Sequence, residues 1–165
     1  MSRRRGVSAA GRALCALLAS LVAPAAGAAV TCTASAVGVA FGVYNPLATA
    51  ATTSAGSILV TCTSTNNGTT TVNLTASYST GSSGTYATRT MRSGSNVLNY
   101  NLYFDAAYTQ VRGNGTGGTQ VGTATLALRR NQTDSASGTL YGRVPAGQDV
   151  APGVYSDTIT VTVTY

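Results

Sequence analysis

The chain has 165 residues and a formal net charge of +6, and it contains no His, Lys, Glu or Trp. General acid–base and nucleophilic catalysis draw mainly on His, Lys, paired carboxylates or a thiolate, so this composition argues against an enzyme. It also predicts no cofactor and no metal site, because His is absent and the cysteines are not closely spaced.

The N-terminal segment has the three parts of a secretory signal peptide. Its basic part contains Arg3, Arg4, Arg5 and Arg12. An apolar run of about eleven residues follows at 13–23, and small residues occupy 24–29. This order predicts cleavage after Ala28 or Ala29. We expect the general secretory route rather than the twin-arginine route, which adjacent arginines also permit.

Cleavage there divides the chain into a signal peptide, 1–29, and one domain of ordinary size, 30–165. The apolar run is shorter than the roughly twenty residues of a transmembrane helix, so the protein is not predicted to span a membrane. Four of the ten basic residues leave with the signal peptide, and the remaining six arginines face four aspartates, a net charge of +2. Such a small charge does not predict a nucleic-acid partner. The expected destination is the periplasm, then the cell surface or the medium.

The cysteines predict one disulfide. Cys15 lies in the predicted signal peptide, which leaves Cys32 and Cys62 in an exported chain, where oxidation is the default. Closing a loop of about thirty residues should stabilise the fold by about 3.5 kcal/mol in the chain-entropy model. A metal pair or redox thiols are the competing interpretation, but they would call for His or a short Cys spacing.

The first half of the mature chain alternates apolar and polar residues with the period of β-strands. We predict a first strand that carries Val37, Val39, Phe41 and Val43. A second strand is predicted at 57–63 and a third at 72–78. Between them, Asn66-Asn67-Gly68 is a turn with the Asn-Gly signal of a hairpin.

The second half continues in the same way. Strands are predicted at 89–92, 98–104, 124–128 and 140–144, with a loop at 79–85 and a polar turn at 131–137. The segment 112–118 contains four glycines and is predicted to be an exposed, mobile loop. It is not a phosphate-binding loop, because it carries no Lys and precedes no helix.

The four aspartates have structural interpretations. Asp134 and Asp149 are predicted in turns, and Asp105 and Asp157 at strand boundaries, where carboxylates accept hydrogen bonds from backbone amides. A pair of aspartates would suit a glycosidase or a metal site, but nothing in the sequence places two of them together.

The terminal stretch, 152–165, has the strongest strand pattern. Ile159, Val161, Val163 and Tyr165 alternate with threonines, which directs four apolar side chains to one face. A strand that helps to form the core needs neighbours on both sides, and the function depends on whether this chain supplies both. With seven or eight short strands and no helical period after the signal peptide, the sequence predicts an all-β antiparallel sandwich.

The order of these motifs resembles the spore coat protein U domain, the subunit family of archaic (Csu-type) chaperone–usher pili. The residues that carry the resemblance cover nearly the whole mature chain: Cys32, Phe41-Gly42-x-Tyr44, Val60-x-Cys62, Arg89-x-Met91, Leu98-x-Tyr100-x-Leu102-Tyr103-x-Asp105 and Gly153-x-Tyr155-x-Asp157-Thr158. Members of the family often carry a Trp near 111–113, and this chain has none.

The resemblance implies an incomplete immunoglobulin-like sandwich of about seven strands that lacks its last strand. The terminal strand would then border an open apolar groove, with Tyr155, Ile159, Val161, Val163 and Tyr165 as its groove and chaperone-binding residues. A periplasmic chaperone would fill the groove first. At the outer-membrane usher, an extension of another pilin subunit would replace it. The implied role is a structural pilus subunit for adhesion or biofilm formation.

Two alternatives remain open at this point. Few residues separate the predicted cleavage site from Cys32, so we expect a subunit that accepts a donor strand without giving one, as at a pilus tip or in a minor subunit. The other interpretation is a self-complete secreted sandwich that acts as a coat, matrix or binding module. It would hold if the predicted strand at 37–43 closed the groove from within the chain.

Overall fold

A computed structural model of the chain describes residues 29–165. The predicted signal peptide, apart from Ala29, and Cys15 lie outside the described residues. Among the residues described, no helix has the length and apolar character that crossing a bilayer requires.

Eight β-strands form two antiparallel sheets, which confirms the all-β sandwich. The strands are β1 (Val30–Val37), β2 (Thr52–Ser64), β3 (Thr70–Tyr78), β4 (Arg89–Ser93), β5 (Asn96–Tyr103), β6 (Gly122–Leu128), β7 (Thr133–Val144) and β8 (Val161–Thr164). A short 3₁₀ helix, Gly81–Ser83, follows β3. The larger sheet has the order β1-β2-β7-β5-β4 and the smaller sheet the order β6-β3-β8.

The core lies between the two sheets and follows from the alternation of each strand. In β3, Val72, Leu74 and Tyr78 are buried, while the alternating residues Asn73, Thr75 and Ser77 are polar and less buried. β2 contributes Ile58, Val60 and Cys62 in the same way. The remaining buried apolar side chains come from β3 to β7: Ala76, Met91, Leu98, Tyr100, Leu102, Leu126, Leu128, Leu140 and Val144.

The disulfide joins two neighbouring strands. Cys32 of β1 and Cys62 of β2 occupy paired positions in the register, with their Cα atoms 4.1 Å apart, and they are bonded as predicted. Because β1 pairs only with β2 within the described chain, the bond fastens an edge strand to the body of its sheet.

The chain crosses between the sheets just before β8. Ser156 exchanges two backbone hydrogen bonds with Arg92 of β4, in the larger sheet. Four residues later, the carbonyl of Thr160 accepts a hydrogen bond from the amide of Ser79 at 2.9 Å, and β8 then pairs with β3 in the smaller sheet. The terminal strand is therefore shorter than predicted, and its first part serves as a connection between layers.

Three predictions about local structure are wrong. The first strand is 30–37 rather than 37–43, and 38–43 has no strand pairing. The turn predicted at 131–137 is mostly the start of β7, so Asp134 lies in a strand. The Asn66-Asn67-Gly68 turn does not close a hairpin, because β2 and β3 belong to different sheets.

The Gly-rich segment is anchored more firmly than predicted. Residues 114–118 are exposed, but Arg112 and Thr119 at its two ends are buried. Arg112 donates a hydrogen bond from Nη2 to the carbonyl of Thr139 at 2.8 Å. Phe104, predicted as the last residue of a strand, lies beyond β5 and is 42% exposed, with the Arg112 guanidinium 4.4 Å from its ring centre.

A second arginine, Arg89, is completely buried. Its guanidinium donates to the carbonyl of Ser79 from Nε and Nη2, to Oδ1 of Asn101 from Nη1 at 2.7 Å, and to the carbonyl of Arg112 from Nη2 at 2.8 Å. Burial lowers the pKa of Arg89. Its hydrogen-bond partners are carbonyl and amide oxygens, so the arginine joins the ends of three chain segments in place of an ion pair.

Candidate functional site

The free edge of β8 is the first component of the site. Its residues Val161–Thr164 pair with Thr75–Tyr78 of β3 on one side. Within residues 29–165, no strand pairs with the opposite edge. An unpaired edge presents a row of backbone donors and acceptors to any strand that approaches it.

The inward face of β1 is the second component. Ala34 and Ala36 lie on the same face of β1 as Cys32. They pair with Val60 and Ile58 of β2, which are buried. Both alanines are nevertheless exposed. Their side chains point to the core side of the sheet, so this part of the sandwich interior is not covered by the described residues.

A groove of about 290 Å³ connects these two components. Ala36 and Val37 of β1 lie along one side of it, and Ile159 and Val161 along the other. The other residues that line it are Gly38, Val39, Phe41, Met91, Tyr100, Leu102, Leu140, Tyr155, Ser156 and Asp157. The groove is therefore mainly apolar, with an open backbone edge along its side.

The segment 38–43 narrows the groove without closing it. A methyl group added to Gly142 of β7 would lie 2.5 Å from Val39 and 2.7 Å from Phe41, so this glycine makes room for both side chains on the inner face of the sheet. Phe41 meets the ring of Tyr100 edge to face at a centroid distance of 5.8 Å. Val39 and Phe41 also line an adjoining cavity of about 590 Å³. The segment thus supplies side chains to the interior but no strand to β8.

One end of the groove is fixed by Asp157. Its carboxylate accepts hydrogen bonds from the hydroxyl of Tyr100 at 2.8 Å and from the amides of Ser82 and Thr158, both at 2.9 Å. Burial raises the pKa of Tyr100, and the hydrogen bond to Asp157 raises it further. The hydroxyl therefore remains a donor at neutral pH, and the start of the crossing segment is held against β5.

Most of the residues singled out in the sequence meet at this groove. Tyr155, Ile159 and Val161 line it, as do Phe41, Met91, Tyr100 and Asp157. Gly42, Tyr44 and Gly153 line the adjoining cavity. Val163 is half-buried and packs against the core. Tyr165 was predicted on the buried face, but it is 60% exposed, since it lies beyond the last residue paired with β3.

Tyr103 and Asp105 lie away from the groove. Tyr103 packs edge to face against Tyr108 at 5.5 Å. Asp105 accepts hydrogen bonds from the amides of Gln110 and Thr109 and from the Thr109 hydroxyl. These bonds, with the Gln110 amide first, lower the pKa of the Asp105 carboxyl. This is the predicted capping role, and it shapes the turn that follows β5.

The sequence did not predict Ala36 and Leu140 as groove residues, the exposed inward face of β1 at Ala34, or the burial of two arginines. The alanines are in a strand whose boundaries were predicted wrongly. The burial of Arg89 and Arg112 was not predicted, because a charged side chain is normally taken as exposed, and Arg89 entered the sequence analysis only through the Arg89-x-Met91 motif. Within the described residues, no group of three or more His, Cys, Asp or Glu side chains comes together to hold a metal ion. The groove offers apolar surface and a backbone edge, which is the chemistry of binding an extended peptide.

Comparisons with known proteins agree with this architecture. The family model of the Spore Coat Protein U domain matches residues 17–162. The chain belongs to this family. No match is found among the curated proteins.

A solved structure resembles this Spore Coat Protein U chain with a TM-score of 0.51 and 19% sequence identity. It is the CsuC–CsuE chaperone–tip adhesion subunit pre-assembly complex from the archaic chaperone–usher Csu pili of Acinetobacter baumannii. The alignment covers 82% of this chain and 40% of that chain. The chain thus spans less than half of the length of this neighbour. At this identity the similarity shows the fold, which fits an incomplete immunoglobulin-like sandwich.

Proposed function

We propose that this protein is a secreted structural subunit of an archaic chaperone–usher pilus, assembled by donor-strand complementation. One observation carries the proposal. The free edge of β8 borders a groove that is lined by Ala36 of β1, and both inward alanines of that strand, Ala34 and Ala36, are exposed. A single added strand would pair with β8 and cover the alanines at once. Membership of the Spore Coat Protein U family and the fold of the Csu neighbour support this assignment.

The energetics favour an obligatory partner. A donor strand that buries four or five apolar side chains, at about 1.5–3 kcal/mol each, gains on the order of 10 kcal/mol before ordering costs. That gain is comparable to the whole stability of a domain. The chain without a donor is therefore marginally stable, and its exposed edge promotes aggregation.

The proposed partners follow from this need. A periplasmic chaperone supplies the first strand after export, and an extension of another pilin subunit replaces it at the outer-membrane usher. The assembled subunit is exposed on the cell surface, where we assign it to adhesion or biofilm formation. No catalytic step belongs to this role.

We also propose that the subunit accepts a donor strand without giving one. Residues 30–37 form β1, and Cys32 is bonded to Cys62, so the residues that follow the predicted cleavage site belong to the subunit's own sheet. Such a subunit suits a pilus tip or a minor position. Mass spectrometry of the mature N-terminus tests this directly, and cleavage well before Ala28 would contradict it.

A second candidate is a self-complete secreted coat or binding module. It is favoured by one observation, that Val39 and Phe41 already occupy part of the interior beside the groove. If these side chains cover enough of the core, the chain needs no donor.

Periplasmic expression distinguishes the two candidates. The mature chain is produced alone and with an archaic periplasmic chaperone, then analysed by size exclusion and thermal melting. A pilus subunit aggregates alone and forms a soluble one-to-one complex with the chaperone. A cooperatively melting monomer without any partner would instead support the self-complete module.

A matched pair of variants locates the interaction. Val161→Asp places a charge in the groove and should abolish the chaperone complex. Thr162→Asp places the same charge on the exposed face of β8 and should leave the complex intact. Equal effects of the two substitutions would show that the complex does not use this groove.

A further inference from the structure

The sequence contains two Asn-Gly pairs, Asn67-Gly68 and Asn114-Gly115, and every other asparagine precedes a residue with a side chain. In an Asn-Gly pair the backbone nitrogen of the glycine can approach the side-chain carbon of the asparagine, because glycine has no Cβ to block the approach. Both pairs lie in connections between strands, and all four residues are exposed. Their hydrogen bonding, however, is different.

Both groups that would react are unengaged in the first pair. Within residues 29–165, neither the side chain of Asn67 nor the amide of Gly68 has a hydrogen-bond partner. Nothing lies within 4 Å of the position that a Cβ on Gly68 would take. The preceding Asn66 is held instead, since its amide donates to Oγ of Ser64 at 3.2 Å and its Nδ2 to Oγ1 of Thr70 at 3.0 Å. An anchored bend therefore presents the pair to solvent.

The second pair has the same residue types, but its reacting groups are held. The amide of Gly115 donates a hydrogen bond to Oγ1 of Thr119 at 3.1 Å. Thr119 is buried, and its hydroxyl donates to the carbonyl of Thr116 at 2.8 Å. Oδ1 of Asn114 accepts hydrogen bonds from the amide and the hydroxyl of Thr116, at 3.1 and 2.7 Å. The nitrogen and the side chain that would have to meet are thus both bound to other groups.

We propose that Asn67 is a site of spontaneous deamidation in the folded protein, whereas Asn114 is protected. The nitrogen of Gly68 loses its proton to solvent and attacks Cγ of Asn67. The N–Cγ bond forms as the Cγ–Nδ2 bond breaks, and Nδ2 takes up a proton and leaves as ammonia. Water then opens the resulting five-membered succinimide at Cγ, which gives aspartate, or at the backbone carbonyl carbon, which gives isoaspartate.

Either product carries a negative charge that Asn67 lacks. The predicted mature chain has six arginines and four aspartates, so one added carboxylate lowers its net charge from +2 to +1. The backbone of Ser64, at the start of the same connection, is hydrogen-bonded to the turn 129–132. That turn carries the exposed Arg129 and Arg130. Exposed opposite charges attract one another only weakly, so the surroundings accept the new carboxylate without a large change in stability.

Incubation of the mature chain at neutral pH, followed by peptide mass spectrometry, tests the proposal. The chain is used free, or with a periplasmic chaperone or a donor peptide where it needs one. We expect aspartyl and isoaspartyl products to accumulate at Asn67. At Asn114 they should form at least about tenfold more slowly, because the hydrogen bond of the Gly115 amide must break first. The control is the same chain reduced and unfolded in urea, in which the two pairs should react at similar rates.

Two variants test the contrast between the pairs. Thr119→Val keeps a branched side chain but removes the hydroxyl that accepts the hydrogen bond from Gly115. It should raise the rate at Asn114 about tenfold and leave the rate at Asn67 unchanged. Asn67→Gln would have to form a larger, six-membered ring, so it should abolish the modification at position 67 without changing the rate at Asn114.

Three results would overturn the proposal. The first is an Asn67 that stays unmodified in the folded chain for as long as the unfolded chain needs to react. The others are equal rates at the two pairs in the folded chain and a faster reaction at Asn114. The groove-lining residues of β1, Ala36 and Val37, lie at the opposite end of that strand from Val30, which pairs with Ser64. None of these results therefore bears on the donor-strand groove.

Discussion

The hydroxyl of Tyr100 lies 2.8 Å from Oδ2 of Asp157 and donates a hydrogen bond to it. This bond joins β5, inside the larger sheet, to the segment that crosses to β8 in the smaller sheet. The same carboxylate accepts a hydrogen bond from the amide of Ser82, in the 3₁₀ helix that follows β3. One side chain thus anchors the segment that leaves the larger sheet and leads into β8.

Removing the hydroxyl should weaken this junction. We expect Tyr100→Phe to lower the free energy of unfolding by about 2 kcal/mol, because a hydrogen bond to a charged group is lost while the carboxylate remains partly buried. Urea unfolding of the mature chain, stabilised by a donor peptide or chaperone if needed, measures the change. The control is Tyr141→Phe, a half-buried position on the central strand β7, which should change stability by less than about 0.5 kcal/mol. Equal losses of stability in Tyr100→Phe and Tyr141→Phe would show that the hydrogen bond to Asp157 does not stabilise the fold.

Stability should also fall in alkaline solution. The pKa of Tyr100 is raised above its ordinary value of 10.0 by burial and by Asp157, and burial raises that of Tyr78 as well. The folded chain therefore keeps protons that the unfolded chain gives up. The stability that these two protonated tyrosines contribute is complete below pH 10 and declines as the pH rises above it, with a limiting slope of about 1.4 kcal/mol per pH unit for one tyrosine.

Unfolding measured between pH 8 and pH 11 tests this dependence. Tyr100→Phe should show a smaller alkaline slope than the parent chain, with the remainder due to Tyr78. A parent chain whose stability does not change across this range would contradict the assignment.

Gly81 should tolerate no side chain. Its φ of +67° lies in the left-handed region, and an added Cβ would overlap the carboxylate of Asp157. Gly84, three residues on, has a φ of +72° but open space around it. Gly84→Ala should therefore cost about 1–2 kcal/mol, for backbone conformation alone. We expect Gly81→Ala to cost at least about 2 kcal/mol more, since it also displaces Asp157. Similar losses for the two variants would contradict this.

The disulfide should act mainly on the edge strand. Replacing Cys32 and Cys62 together by Ala removes loop closure worth about 3.5 kcal/mol in the chain-entropy model. Because β1 pairs only with β2 within the described chain, we expect amide exchange to rise most in β1, while β7, between β2 and β5, keeps its protection. Uniform loss of protection across the larger sheet would show that the bond stabilises the whole domain and not the edge.

The sequence predicted those parts of the fold that depend on local periodicity. The strands at 72–78 and 98–104 were found because apolar residues recur in the sequence of each with a period of two, although β5 ends at Tyr103 and Asn101 is buried as well. The terminal strand was found for the same reason, and Ile159 and Val161 line the groove as the resemblance implied. Family motifs separated along the chain, such as Phe41, Met91 and Tyr100, meet there as well.

The errors arise where pairing is decided by distant residues. Val39 and Phe41 alternate like strand residues, yet their segment crosses the inner face of the sheet, where Gly142 leaves space for them. Polarity suggested a turn at 131–137, but this stretch forms an exposed part of β7. No local pattern distinguishes a buried arginine from an exposed one, so Arg89 and Arg112 become visible only when their partners are in place.

The buried position of Arg89 leads to the last prediction. Four hydrogen bonds radiate from its planar guanidinium to Ser79, Asn101 and Arg112. An ammonium group cannot reproduce this geometry from a single nitrogen. Arg89→Lys should therefore lower the free energy of unfolding by about 3 kcal/mol or more, through unpaired buried carbonyl and amide oxygens. The matched control is Arg92→Lys on the same strand, at an exposed position, with an expected change within about 0.5 kcal/mol. Equal changes in the free energy of unfolding for the two variants would show that a positive charge at position 89 is enough and that the four hydrogen bonds of the guanidinium are not needed.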